Sequence, residues 1–142
     1  MNSNRTHVTF LDHTADLGIT VTGTSLEDLF KNAAQSMMQI MVKQQRVGKT
    51  SPFRLSVSGE DLPDLMVCWL GEILYLFEGE RKVVISVDID SITKSHIDAM
   101  LRITPFNPKE HEILTEIKAV TYHQIKVARE KGRWQARVIF DI

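Results

Sequence analysis

The sequence predicts an α+β fold, a two-layer sandwich of a mainly antiparallel sheet with two helices packed on one face. Three observations predict it. Only two segments carry helical periodicity, while seven others read as strands and are not interleaved with them one for one. No glycine-rich phosphate loop joins a strand to a helix, as a doubly wound parallel sheet would require. The 142 residues, 43 % apolar and 25 % charged, are enough for one hydrophobic core, so residues 1–142 are read as a single domain.

The elements follow in order. Residues 7–11 alternate around Val8 and Phe10, and residues 17–22 place Leu17, Ile19 and Val21 on one face, so both are strands and the acidic stretch between them is a connection. Gly23-Thr24-Ser25 ends the second strand, and Thr24 with Glu27 has the spacing of a capping box. Leu26, Leu29, Phe30, Ala33, Ala34, Met37, Ile40 and Met41 then recur at steps of three and four, which predicts an amphipathic helix over about residues 25–42. Its methionines follow the apolar stripe and read as core rather than as a partner surface. Residues 44–52 are polar and glycine-containing and read as a loop, after which Phe53, Leu55 and Val57 alternate toward Gly59 as a third strand.

Asp61-Leu62-Pro63-Asp64 is a helix start, with proline in the first turn, where its missing N–H costs least. Residues 65–77 are apolar almost all round, which predicts a central helix buried on more than one side, with Trp69 and Phe77 in the core. From Val83 the pattern is β again, over residues 83–87, 95–104, 113–127 and 134–142, with Gly132 as a hairpin turn. No internal repeat stands out. The first and last strands can be neighbours in such a sheet.

Composition excludes several functions. The formal net charge is −1, from 17 basic and 18 acidic residues, so the broad positive field of a non-specific nucleic-acid binder is missing and any RNA contact is local or indirect. Cys68 stands alone, which excludes an internal disulfide and suits a reducing compartment. Set among Leu65, Met66, Val67, Trp69 and Leu70, it reads as a small core residue. Residues 1–7 lack the apolar centre of a secretory signal, and no stretch is apolar enough to span a bilayer. The expectation is a soluble cytoplasmic protein with no membrane partner.

The chemistry lies at the two ends. Val138-Ile139-Phe140-Asp141-Ile142 reads as a strand with no tail, which sets the α-carboxylate one residue from the Asp141 side chain on ordered backbone. Two carboxylates that close repel each other unless a cation or donors compensate. Asp12-His13-Thr14-Ala15-Asp16 is a second acidic element. If the fold brings the two together, they form an oxygen-rich site for a hard cation; the bland alternative is that Asp16 tightens its own turn and the terminus meets solvent.

Four motifs in this order resemble the archease family over almost the whole chain: Leu11-Asp12-His13-Thr14-Ala15-Asp16-Leu17-Gly18-Ile19, then Ser25-Leu26-Glu27-Asp28-Leu29-Phe30 with Ala33-Ala34, then Ile117-Lys118-Ala119-Val120-Thr121-Tyr122, and the terminal Asp141-Ile142. The resemblance implies an accessory protein, not an enzyme. Archeases assist the RtcB-type RNA ligase, which uses GTP and a divalent metal to join RNA ends in tRNA splicing and RNA repair, by promoting guanylylation of the ligase and its multiple turnover. The resemblance also implies a metal held by Asp16, Asp141 and an oxygen of Ile142, with Lys118 and His111 matching a family lysine and histidine. An all-oxygen set selects Ca2+, Mg2+ or Mn2+ over zinc. A second view of the family, as chaperone-like modulators of a tRNA methyltransferase, implies a helper as well.

Other residues carry two readings each. Asp12 and His13 satisfy turn N–H groups as readily as they ligate, and Asp12 is kept as a secondary metal contact. Lys118 is either a solvated strand lysine or a charge aimed at a phosphate or at the ligase. His111 lies in Lys109-Glu110-His111-Glu112, which also reads as an ordinary solvated turn. The five histidines show no i, i+4 pair on a helix, which argues against a zincin. Lys126 to Arg133 is the most basic stretch and by default a wet hairpin tip. A rival from another class is a small metal-dependent phosphoesterase with Asp12 or His13 as base. A third is a purely structural interaction module.

Overall fold

The computed structural model of the chain describes residues 6–11, 16–44 and 48–142. In chain order it contains β1 (Thr6–Leu11), β2 (Asp16–Gly23), α1 (Leu26–Met41), β3 (Val42–Gln44), β4 (Ser51–Ser58), α2 (Leu62–Glu78), β5 (Lys82–Ile92), β6 (His96–Pro105), β7 (His111–Ile113), β8 (Ala119–Val120), β9 (Lys126–Glu130) and β10 (Arg133–Asp141). The α+β class holds: two helices, with all strand pairs antiparallel among the described residues. The β layer is not one continuous sheet. β1, β2 and β10 form a five-stranded sheet with β8 and β9, β4-β6-β5 form a second, and β3 pairs with β7 alone. Both helices pack against strands of the two larger sheets.

The two helix starts repeat one device. Gly23-Thr24-Ser25-Leu26-Glu27-Asp28-Leu29 and Gly59-Glu60-Asp61-Leu62-Pro63-Asp64-Leu65 share glycine, a capping residue, leucine, aspartate and leucine at the same spacing. In α1 the Ser25 side chain accepts from the Asp28 N–H, and an Asp28 carboxylate oxygen accepts from the Thr24 N–H at 2.9 Å. In α2 Asp61 accepts from Asp64, and Asp64 accepts from the Glu60 N–H at 2.8 Å. The capping box therefore begins one residue later than Thr24, because Ser25 and not Thr24 takes the extended N-cap conformation. The glycines are steric necessities: a Cβ on Gly23 would stand 2.5 Å from the Leu29 nitrogen, and one on Gly59 2.7 Å from the Leu65 Cα. The likeness is confined to these seven-residue helix starts.

The core fills the space between helices and sheets. Trp69 and Phe30 are fully buried, and the Trp69 indole N–H donates to the Phe30 carbonyl at 3.0 Å, which joins α2 to α1 while satisfying a buried donor. Apolar residues of β2 (Leu17, Ile19, Val21) and β10 (Ala136, Val138, Phe140) complete the same cluster.

Two readings of the β region change. Residues 113–127, expected as one strand, are three elements and two connections. The Leu114 N–H caps the Met41 carbonyl, Ile117 turns wholly into the core, and Gln124 takes a left-handed φ of 52° in the turn before β9. The chain here crosses from β3 to β10, so no single ladder could hold it. β3 is a three-residue strand inside what read as helix end and loop; Val42 leaves the helix directly into extended backbone.

Candidate metal centre

β10 lies between β2 and the strands β8 and β9, so the last strand of the sequence is an interior strand beside the second. The register sets Asp141 directly opposite Asp16, then Ile139 opposite Gly18, Arg137 opposite Thr20 and Gln135 opposite Thr22. Alternation assigns these pairs to the face turned away from the helices, since the intervening Leu17, Ile19 and Val21 meet Phe140, Val138 and Ala136 in the core. Asp16 and Asp141 are each half-buried. Directly paired residues in an antiparallel ladder have Cα atoms about 4.5–5.5 Å apart, and like charges in that position oppose folding.

The last residue is seated rather than loose. Ile142 is partly buried and packs against the core cluster, so its main-chain oxygens are carried on fixed backbone next to Asp141. The segment before β8 closes the other side: the Lys118 N–H donates to the Asp141 carbonyl at 2.7 Å, and both the N–H and the hydroxyl of Thr121 donate to the Ile139 carbonyl. Lys118 thus stands beside Asp141 through its main chain, with its side chain exposed. It precedes the two-residue β8 instead of lying in a long apolar strand.

The residues fit a hard divalent cation by donor chemistry. Among the described residues no group of three His, Cys, Asp or Glu side chains could hold a metal, so two opposed carboxylates need a third oxygen from the backbone, and Ile142 is the adjacent source. Oxygen ligands of this kind, with positions left for water or phosphate, suit Ca2+, Mg2+ or Mn2+. Asp12 and His13 lie outside the described residues.

His111 is placed elsewhere and in a different state from the expected solvated turn. It is 4 % exposed, pairs through β7 with Gln44 of β3, and stacks on Phe106 at 5.6 Å between ring centroids. Its Nδ1 accepts from the Asn107 N–H at 3.0 Å, while Nε2 is buried with no hydrogen-bond partner among the described residues. With Nδ1 accepting from the chain, the imidazole closes the 107–111 turn. The aromatic neighbour Phe106, five residues before His111, covers one face of the ring.

A cluster that sequence reasoning missed holds the segment after β8 onto α2. The Tyr122 hydroxyl donates to an Asp64 oxygen at 2.7 Å, and the Cys68 sulfur lies 3.8 Å from the same oxygen. Tyr122 and the Glu60 N–H, in that order, hold the Asp64 carboxyl below its usual range. The Asp64 bond pushes the Tyr122 phenol up. Cys68 is half-buried and packs against the margin of the core, and burial is the first cause that raises its thiol. No spacing in the sequence links Asp64 to Tyr122, since the contact exists only through the fold.

Comparison with known proteins agrees with this architecture. The model of the Archease protein family matches residues 9–142. The protein archease of Methanosarcina mazei is 34 % identical over 137 residues, covering 94 % of each chain, and that of Pyrococcus furiosus is 35 % identical over 135 residues, covering 92 % of this chain and 95 % of its own. The solution structure of protein 1598 from Methanobacterium thermoautotrophicum superposes with a TM-score of 0.76 at 29 % identity, covering 97 % of this chain and 99 % of that one. An archease crystal structure from Thermotoga maritima, described as a possible chaperone, shares the fold with a TM-score of 0.65 at 21 % identity over 94 % of this chain and 96 % of that one. With the acidic motif, the helix-opening motif and the closing Asp141-Ile142 all in place, the chain belongs to the archease family.

Proposed function

We propose that the chain is a metal-binding accessory protein, not itself an enzyme, that activates an RtcB-type RNA ligase in the cytoplasm. It promotes the ligase's metal- and GTP-dependent guanylylation and its multiple turnover in tRNA splicing or RNA repair. The observation that carries this reading is the cross-strand pairing of Asp16 with Asp141 beside Ile142, within a family member. A cation held there supplies charge neutralisation and a template for phosphate oxygens. This chain's residues orient it: Asp16 and Asp141 face each other across the ladder, and Lys118 presents an exposed ammonium beside them. Asp12 is a further metal contact on this reading, and His111 supports the fold from a distance. Among the described residues no helix is long and apolar enough to cross a membrane.

The test is a guanylylation assay of the ligase with labelled GTP, with and without this chain. Asp16→Asn and Asp141→Asn should each abolish stimulation while the fold survives, and a short extension after Ile142 should do the same by moving the terminal oxygens. Stimulation equal to the parent from either aspartate variant overturns the site. A second reading is a chaperone-like helper of a tRNA methyltransferase; the description of the Thermotoga maritima relative as a possible chaperone is in line with its chaperone part alone. It requires suppression of partner aggregation that survives chelator. The phosphoesterase alternative requires phosphate release by this chain alone.

A further inference from the structure

We infer that the outer face of the β9–β10 hairpin, with the adjoining part of β2, is a docking strip for the phosphate backbone of a single RNA strand. This contact goes beyond the metal-centred reading and does not depend on it. Residues 126–137 hold five basic side chains, Lys126, Arg129, Lys131, Arg133 and Arg137, and one acid, Glu130, in a chain of net charge −1. Positive charge is therefore concentrated on one hairpin. Among the described residues only Lys126 has a carboxylate partner, Glu130 at 2.7 Å; the other four have none.

Arg137 is a cation on this face with no carboxylate partner among the described residues. It stands exposed on an interior strand, with Lys126 directly opposite on β9 and Thr20 opposite on β2. Like charges opposed across a ladder repel; Glu130 offsets that of Lys126, and a polyanion on that face would compensate Arg137 as well. The hairpin is preorganised: it closes through a two-residue turn in which Lys131 and Gly132 have φ of 54° and 79°, the type I′ conformation. Arg129 pairs opposite Trp134 on the alternate row and is left out of the strip.

The neighbours favour phosphate over a protein surface. Beside Arg137 the same row carries Thr20, Thr22 and Gln135, with His7 of β1 opposite Thr20. None of the exposed large hydrophobics, Val8, Tyr75, Ile113, Leu114 and Tyr122, belongs to this row, whereas a protein interface centres on apolar and aromatic anchors. Guanidinium forks match phosphate oxygens in pairs. Same-face residues on a strand recur about 6.8 Å apart, so one RNA strand laid along β10 would meet Arg133 and then Arg137 about 13 Å on. Among the described residues the acidic side chains on this face are Glu130 at the hairpin end, opposite Arg133 and paired with Lys126, and Asp16 and Asp141 at the far end, with buried Ile139 between the latter and Arg137.

The experiment is fluorescence anisotropy of a dye-labelled single-stranded oligouridylate titrated with the whole chain in chelator, across a salt series. Four phosphate contacts, from Lys126, Lys131, Arg133 and Arg137, predict that log affinity falls against log salt with a slope of about −3. The Arg133→Gln/Arg137→Gln double variant should bind at least tenfold more weakly with a slope near −1.4, about two contacts fewer. Arg137→Lys, which keeps the charge and the fold but loses the fork, should fall between. Lys94→Gln, outside the strip, should bind as the parent does. No binding at low salt, a parental affinity in the double variant, or displacement of the RNA by polyglutamate as effectively as by unlabelled RNA overturns the assignment, the last in favour of an acidic protein. Because chelator removes the metal, failure here leaves the Asp16–Asp141 site to its own test.

Discussion

Two carboxylates set opposite each other in an antiparallel ladder repel, and a cation held between them would reverse the sign. That sign difference makes the site measurable without any partner. In chelator, Asp16→Asn and Asp141→Asn should melt at or slightly above the parental temperature, because each relieves the repulsion. With calcium at about 100 times its dissociation constant the parent should gain about 2.7 kcal/mol, and both variants should gain none. A calcium-dependent shift retained in Asp141→Asn would remove that residue from the ligand set. The Asp64–Tyr122 bond makes a second residue-level case. Asp64 has a lowered folded pKa, so its contribution is present above the unfolded value of about 3.9 and is lost as pH falls through the folded one. Tyr122 has a raised folded pKa, so its contribution is intact below about pH 10 and is lost as pH rises through the folded value. Tyr122→Phe removes the largest cause of the Asp64 shift. Carboxyl-carbon NMR should then show Asp64 titrating at higher pH; an unmoved midpoint would mean that the hydrogen bond is absent in solution.

At the scale of elements, the repeated glycine, cap and aspartate at the two helix starts shows one packing solution used twice. A Cβ at Gly23 or Gly59 meets helix backbone, which cannot swing aside as a side chain would. Gly23→Ala and Gly59→Ala should each cost about 1–3 kcal/mol in urea unfolding, while Ser25→Ala should cost about 1 kcal/mol through the lost cap. A variant of either glycine within a few tenths of the parent would mean that the helix start shifts without penalty. The β9–β10 turn offers a gain instead. Lys131 is held at φ 54° beside Gly132, where asparagine is better tolerated, so Lys131→Asn should stabilise by up to about 1 kcal/mol. Both helices and most strands are legible in the sequence because periodicity of 3.6 or 2 and the capping residues are properties of neighbours. The short strands β3, β7 and β8 are not. Two or three residues carry no period, and these become strands only because Gln44 meets His111 and Ala119 meets Asp141.

Over the whole molecule, the second strand and the last form the middle of the largest sheet, with β1 at its edge, so the final strand is held by the most central pairing of that sheet. Native-state hydrogen exchange should find the amides of Ile19 and Val138, fully buried and mutually opposed, exchanging only through global unfolding. Those of the two-residue β8 should open by a smaller, local route, and equal protection throughout would contradict this ordering. The same topology ties the candidate centre to the core. Its two carboxylates hold their distance only while β2 and β10 stay in register, and that register depends on the Leu17–Phe140 and Ile19–Val138 contacts beneath.

By itself the sequence determined the α+β class, the two helices with their apolar faces, and the two acidic elements near its ends, because these depend on residue chemistry and on spacing within a few positions. It also carried the four ordered motifs on which family membership rests. Only the tertiary structure decided that Asp16 faces Asp141, that Tyr122 reaches Asp64, that His111 is buried against Phe106, and that Arg137 stands beside Lys126 on an outer face. Each of these is a contact between segments that are separate in the chain, and strand register is set by how the whole core packs, a quantity that no local pattern of residues contains.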